Sequence, residues 1–330
     1  MLYAHGYVAP GNPLALPDDI IAGRSISSTV TGLGYAYATT SYRANGLVVP
    51  EAVEDLTELE ATIRTRYRPD PVRTLVAGVS EGGLVATLAL ERHGDVFDGA
   101  LAACGPVGSF RGQLDYFDDF RVVFDYLFPG VIPGSPVAVP DSVTAHWEDR
   151  YVPAVVLALV THPSAAHELI SITGAPVSGD NLPAIAETAV GVLWYNVIGS
   201  ADAQARLGGQ PFDNAGRAYA GSSDDAALNA GVARFSADPA AIARIAEFET
   251  TGVLPAPLVT LHTTGDPIVP VEQEYLYAAK VPIAELRLTQ QLVDRYGHCA
   301  FEASELLAAF SALVGQVPRV ASSASVAAVF

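Results

Sequence analysis

The chain has 330 residues, half of them hydrophobic and 16% charged, with a formal net charge of -18. That length sustains one large α/β domain with an insertion as readily as two domains, and so acidic a surface repels phosphate backbones and anionic lipid, which removes nucleic acid and membranes from the expected partners. The longest apolar run, around residues 152–160, is far short of the roughly 20 that span a bilayer; no basic-then-apolar leader follows Met1, and two cysteines, Cys104 and Cys299, are too few for a disulfide scaffold or a structural zinc site.

In chain order, residues 2–7 (LYAHGY) read as a buried strand entering a loop, and residues 34–43 (GYAYATTSYR) as a second strand. Between them, Pro17, Asp18 and Asp19 supply start signals for a short helix within 18–33. Val53, Leu56, Leu59 and Ile63 recur at helical spacing over 50–67, with Pro50 in the first turn. A strand over 72–79, a helix over 81–93 and a strand over 99–103 follow. Short apolar strands alternating with helices imply a mostly parallel sheet covered on both faces. The alternation stops at Gly105-Pro106. Residues 105–255 are proline-rich at first and helical later, and they carry many aromatics, among them Phe117, Phe124, Trp147, Trp194 and Tyr195. Alternation resumes with a strand over 258–263, a helix over 271–280, a strand over 285–293 and a helix over 301–314, and the closing SSASVAAVF reads as a loose tail. The expected organisation is one α/β domain made of 1–104 and 256–330, interrupted by a mainly helical insertion, 105–255.

The segment Gly78-Val79-Ser80-Glu81-Gly82 fits the G-x-S-x-G pattern in the setting that gives it meaning, after a strand and before a helix. Glycines are required because neighbouring backbone and the incoming helix approach too closely for a Cβ. The strained turn projects the Ser80 hydroxyl clear of the sheet, at a helix N-terminus whose amides can stabilise developing negative charge. The bland alternative, a small serine in an ordinary βα turn, is weakened by that context. A serine hydroxyl also needs a base, and the base needs a group to orient it. Downstream, Asp266 lies in a Gly-Asp-Pro turn at a strand end (TLHTTGDPIVP), and His298 in the loop between the last strand and the last helix (LVDRYGHCAF). Both fall at the C-terminal edge of a parallel sheet, where sites in such sheets collect. Asp266 also suits a purely turn-forming role, and Asp294 is a rival acid. Asp266 is preferred because it follows the strand after the insertion, whereas Asp294 sits in or beside the strand feeding the histidine loop. Of the other histidines, His167 lacks the second histidine of a zincin helix, His93 reads as a surface or capping residue, and His262 as buried in its strand. No glycine-rich phosphate loop is present, and no cofactor is expected.

With the serine turn, the acid turn GDPIVP and the late histidine GHCAF in that order, the chain resembles the α/β-hydrolases over roughly 1–104 and 256–316. The resemblance implies a cap or lid formed by 105–255, a Ser80–His298–Asp266 triad, and an oxyanion hole made by the backbone N–H groups of Tyr7 and Glu81. It makes His5-Gly6 the setting of the oxyanion loop, with His5 a structural hydrogen-bonder. It departs from the family in having no two strands ahead of the first, which leaves a late start or a trimmed, six-stranded sheet. The implied activity is hydrolysis of a small-molecule carboxylic ester through an acyl-enzyme. The aromatic insertion suits aromatic or bulky acyl esters, although aromatics in a helical insertion more often simply form its own core. His298-Cys299 is similar to the pair in tannases and feruloyl esterases, whose partner cysteine directly precedes the serine; here Val79 stands there, so only half of that motif is present. A serine peptidase similar to the prolyl oligopeptidases is the second reading, and a non-catalytic binding protein on the same scaffold the third. In this arrangement Cys104 and Cys299 both fall at the sheet edge beside the Ser80 turn. A disulfide between them, suited to a secreted protein, and two buried free thiols, suited to the cytoplasm, are the alternatives.

Overall fold

The structure, a computed structural model, describes residues 1–21, 23–67, 73–282 and 287–317. It opens with strand β1 (Leu2–Ala4), a two-residue hairpin of β2 (Ile20–Ile21) and β3 (Arg24–Ser25), helix α1 (Ile26–Gly32) and strand β4 (Ala38–Thr39). The hairpin stands where a helix was expected from Asp18. Ile20 and Ile21 are β-branched and pair with Ser25 and Arg24; the helix waits for Ser25, whose hydroxyl accepts the Ser28 N–H as an N-cap. The strand expected over 34–43 shrinks to two residues. Only Leu2 and Tyr3 of β1 are there to receive it, and the chain then turns through Tyr42 at φ 53°.

Helix α2 (Val49–Arg66), strand β5 (Leu75–Val79), helix α3 (Glu81–Arg92) and strand β6 (Gly99–Ala103) follow the sequence pattern. The insertion supplies α4 (Phe110–Leu127), α5 (Asp141–Ala145), α6 (Val152–Thr161), α7 (Pro163–Thr173), α8 (Leu182–Trp194), α9 (Ser200–Leu207), α10 (Asp225–Gly231) and α11 (Pro239–Ile245), with π-helical turns at Trp147–Tyr151 and Tyr195–Gly199. The chain returns through β7 (Leu258–Gly265), α12 (Glu272–Lys280), β8 (Leu288–Tyr296) and α13 (Ala303–Gln316). Residues 72 and 285, the expected starts of β5 and β8, and the tail 322–330 lie outside the described residues.

The main sheet has six strands, all parallel, in the order β4-β1-β5-β6-β7-β8. Alternation along β5 divides the core: Val76 packs with α2 and α3, while Leu75 and Ala77 pack with Ala309, Phe310 and Leu313 of α13. Because every strand runs the same way, the loops after β1, β5, β6, β7 and β8 all emerge at one edge. The insertion has a core of its own, including Phe120, Phe124, Trp147, Leu159 and Leu193, which takes in Ile268 and Val269 from the loop after β7. Ala203 and Leu207 of α9 and Ala241 and Ile245 of α11 instead join the core beneath α2 and α3. Residues Leu182–Leu207 run as one continuous helix, long and apolar enough by length and composition to cross a bilayer, with half of its apolar window buried in the protein. Counting uninterrupted apolar residues missed it because Glu187, Thr188, Asn196 and Asp202 interrupt the run.

Candidate active site

Ser80 joins β5 to α3 with φ 58° and ψ -126°. A side-chain-bearing residue held there costs about 1–3 kcal/mol and persists only when its surroundings over-determine it. Here the Ser80 N–H donates to Ala103 O at 2.9 Å and the Gly83 N–H to Ser80 O at 2.8 Å. The flanking glycines are obligatory: a Cβ on Gly78 would lie 1.8 Å from Gly82 O, and one on Gly82 2.1 Å from Ala4 O.

His298, in the loop between β8 and α13, reaches this serine. Its Nε2 is 2.8 Å from Ser80 Oγ and its Nδ1 is 2.7 Å from Asp266 Oδ2. Asp266 is fully buried, and its Oδ1 accepts the N–H groups of Ile268 (2.8 Å) and Val269 (2.9 Å), which fixes the carboxylate. With a carboxylate on Nδ1, that nitrogen carries the proton, and Nε2 is left as an acceptor for the serine hydroxyl. The rival acid is elsewhere: Asp294 is exposed on β8 and accepts from Thr264 Oγ1 at 3.3 Å.

The histidine loop is tied down on several sides. Cys104, just past β6, and Cys299 form a disulfide with Cα atoms 5.4 Å apart, so the two-thiol alternative is not the one adopted. The Gly297 N–H donates to Gly265 O at 3.0 Å, and Thr263 Oγ1 donates to Gly297 O at 2.6 Å. Cys104, His298 and Cys299 are also the one group among the described residues with ligand atoms close enough for a metal ion, but both sulfurs are committed to the disulfide and provide no thiolate.

On the opposite side of Ser80 lies the loop after β1. A Cβ on Gly6 would come within 3.2 Å of Val79 O, so the segment carrying Tyr7 runs close against the serine turn. His5 is buried, bonds Gly6 O through Nδ1 at 2.8 Å and stacks on Tyr42 with centroids 4.0 Å apart. Asp202 of α9 accepts the Leu47 N–H at 2.6 Å and faces the Tyr7 hydroxyl at 3.4 Å. The Glu81 side chain is buried, its Oε1 has no hydrogen-bond partner, and burial, reinforced by the charge of Asp202, pushes its carboxyl well above the usual range.

A narrow, mainly apolar pocket opens beside Ser80, walled by Tyr7, Leu47, Phe110, Phe117, Tyr195 and Ile268. Phe117 and Tyr195, from α4 and the π-helical turn, stack with centroids 5.0 Å apart. The insertion is bonded to the acid turn, with Gln113 Nε2 donating to Ile268 O and Tyr116 Oη to Pro267 O, each at 2.8 Å. Thr188 and Tyr296, two residues before His298, share a hydrogen bond of 2.9 Å. Sequence reasoning missed Gln113, Tyr116, Thr188 and Asp202, which stand more than 100 residues from their partners and carry no local pattern. A larger apolar cavity lies across the sheet between α1 and α13, away from the Ser80 hydroxyl.

No family model and no curated protein matches the chain. Solved structures resemble it at low identity. They include an esterase from Pyrococcus furiosus (12% identical, TM-score 0.45, covering 96% of this chain and 80% of that one) and a monoacylglycerol lipase from Paleococcus ferrophilus (13%, 0.43, 96% and 93%). An acylaminoacyl peptidase from Pyrococcus horikoshii is also similar (11%, 0.39, 90% of this chain and 32% of that one). The all-parallel sheet in the order β4-β1-β5-β6-β7-β8, the glycine-bound serine turn after β5 and the helical insertion between β6 and β7 give this chain the α/β-hydrolase fold.

Proposed function

We propose that the protein is a serine hydrolase that cleaves carboxylic esters through an acyl-enzyme. The observation that carries this reading is the continuous hydrogen-bonded line Ser80 Oγ–His298–Asp266, at 2.8 and 2.7 Å. In this reading His298 Nε2 takes the hydroxyl proton as Ser80 attacks the ester carbonyl and then gives it to the departing alcohol. Asp266 holds the imidazole in the required tautomer and stabilises the imidazolium that forms. The oxyanion is received by the backbone N–H groups of Glu81 and Tyr7. Glu81 is the first residue of α3, so its N–H has no intrahelical acceptor and lies at the positive end of the helix dipole. Water activated by the same histidine then releases the acid.

Residues 105–255 act in this reading as a cap that sets specificity. The walls of the pocket support an acyl group that is apolar and flat enough to lie against Phe117 and Tyr195, such as a short aliphatic or aryl acyl chain. The test is hydrolysis of p-nitrophenyl acetate, butyrate and benzoate beside aminoacyl-arylamides, together with labelling by a fluorophosphonate. Ester turnover and labelling, both lost in Ser80→Ala, are expected. Arylamide cleavage without ester cleavage would overturn the ester assignment, and labelling that survives Ser80→Ala would overturn the nucleophile.

A further inference from the structure

We propose that His262 and Glu274 are positioning residues for this reaction: a buried pair beneath Asp266 that holds its carboxylate toward His298, an inference that rests on the hydrolase reading above. His262, on β7, is fully buried, and Glu274, on α12, is 1% exposed. His262 Nε2 is 2.8 Å from Val269 O, a pure acceptor, so this nitrogen carries a proton. The same nitrogen faces Asp266 Oδ2, the oxygen that bonds His298, at 3.7 Å. Val269 in turn donates its N–H to Asp266 Oδ1, so imidazole, backbone and carboxylate close a ring around the acid turn.

On its far side, His262 Nδ1 faces Glu274 Oε1 at 3.3 Å, within ion-pair reach, and both buried atoms are otherwise without a hydrogen-bond partner of good geometry. Glu274 Oε2 accepts from Thr260 Oγ1 at 2.5 Å and Gln290 Nε2 at 2.6 Å. A second proton therefore belongs to the pair. Burial opposes a charged imidazole, yet Glu274 and then Asp266 outweigh it and raise the His262 pKa above its ordinary value. Among the described residues, the charged groups acting on His262 are these two acids, one beyond its own strand and one from α12, while β8 places Leu292 in register with His262 and directs the neutral Gln290 to Glu274. An imidazolium so placed compensates the fully buried Asp266 charge, which must persist for His298 to keep its Nδ1 proton.

Glu274→Gln isolates this charge. Its amide can donate to Nδ1, which leaves His262 neutral with the Nε2–H bond to Val269 intact. His262→Gln removes the imidazole. The readout is the pH dependence of fluorophosphonate labelling at Ser80, with thermal stability followed in parallel and Ser80→Ala as control. With the positive charge gone, His298 holds its proton more tightly, so the acid limb should move to higher pH by about half to one unit in both variants. An unmoved limb, whether or not Tm falls, would make the pair structural and overturn the proposal. Failure of both variants to fold would count the same way. A wild type that does not label at Ser80 overturns the hydrolase reading itself, and this inference with it.

Discussion

Cys299, the residue after His298, is bonded to Cys104 at the end of β6 across a sequence separation of 195. The bond anchors the loop that carries the imidazole to the strand beside the Ser80 turn. Closing so long a loop contributes on the order of 2–5 kcal/mol, chiefly by restricting the unfolded chain. Thiol titration of the unfolded, unreduced protein should find no reactive thiols, and two per chain would rule the bond out. The Cys104→Ala, Cys299→Ala double variant should lose several degrees of Tm. It should also lose turnover at temperatures where it remains folded, because the histidine loop is then held by hydrogen bonds alone.

Ser80→Ala, His298→Ala and Asp266→Asn should each leave the fold intact and cripple turnover. Residues of such an array act as a unit, so losses of about 10⁴–10⁶ in kcat are expected for the first two and a smaller loss for the acid. Asp294→Asn should stay near wild type, since its side chain bonds Thr264 rather than the histidine. A larger loss for Asp294→Asn than for Asp266→Asn, measured as kcat on one ester, would reverse the assignment of the acid.

The parts of this architecture that announce themselves in sequence are those governed by local sterics. Gly78 and Gly82 are forced by backbone packing at the Ser80 turn, and β6 (Gly99–Ala103) begins and ends where its apolar run does. The order of Ser80, Asp266 and His298 is likewise written along the chain, and the structure brings the three together. The N-terminal hairpin is hidden because it depends on two residue pairs whose strand preference competes with the helix signals at Asp18 and Asp19. Most hidden is the seat of the insertion. Asp202 can approach the loop after β4 because Gly46 lacks a side chain, a Cβ there lying 2.4 Å from Asp202 Oδ2. Gly46 and Asp202 stand far apart in the chain, and nothing near either one names the other.

If residues 105–255 set specificity, substitutions in the pocket wall should reorder substrates without abolishing chemistry. Phe117→Ala removes one half of the Phe117–Tyr195 stack and enlarges the pocket beside Ser80. It should raise kcat/KM for bulky acyl esters relative to acetate by about tenfold, the scale of 1–2 kcal/mol per pocket contact, while labelling by a small fluorophosphonate continues. An unchanged ranking of acetate, butyrate and benzoate would remove this wall from the substrate site.

The insertion also predicts how stability varies with pH. Asp118 on α4 is buried and accepts from Ser200 Oγ and Asn196 Nδ2, each at 2.7 Å. Burial outweighs those two bonds and pushes its carboxyl up to about 7, against about 3.9 for an unfolded aspartate. Between these values the native state binds more protons at this site than the unfolded state does, so stability falls as pH rises from about 4 to about 7. The slope is at most about 1.4 kcal/mol per pH unit for one group. Asp125, pushed up to about 6 by its own burial, adds to the same trend. Asp118→Asn keeps an acceptor oxygen for Ser200 and Asn196 but cannot titrate. Urea unfolding of the variant between pH 4 and 7 should therefore give a flatter dependence than wild type, the residual slope belonging to Asp125 and other carboxyls. A variant with the full wild-type slope would mean that Asp118 stays ionised in the core despite its burial.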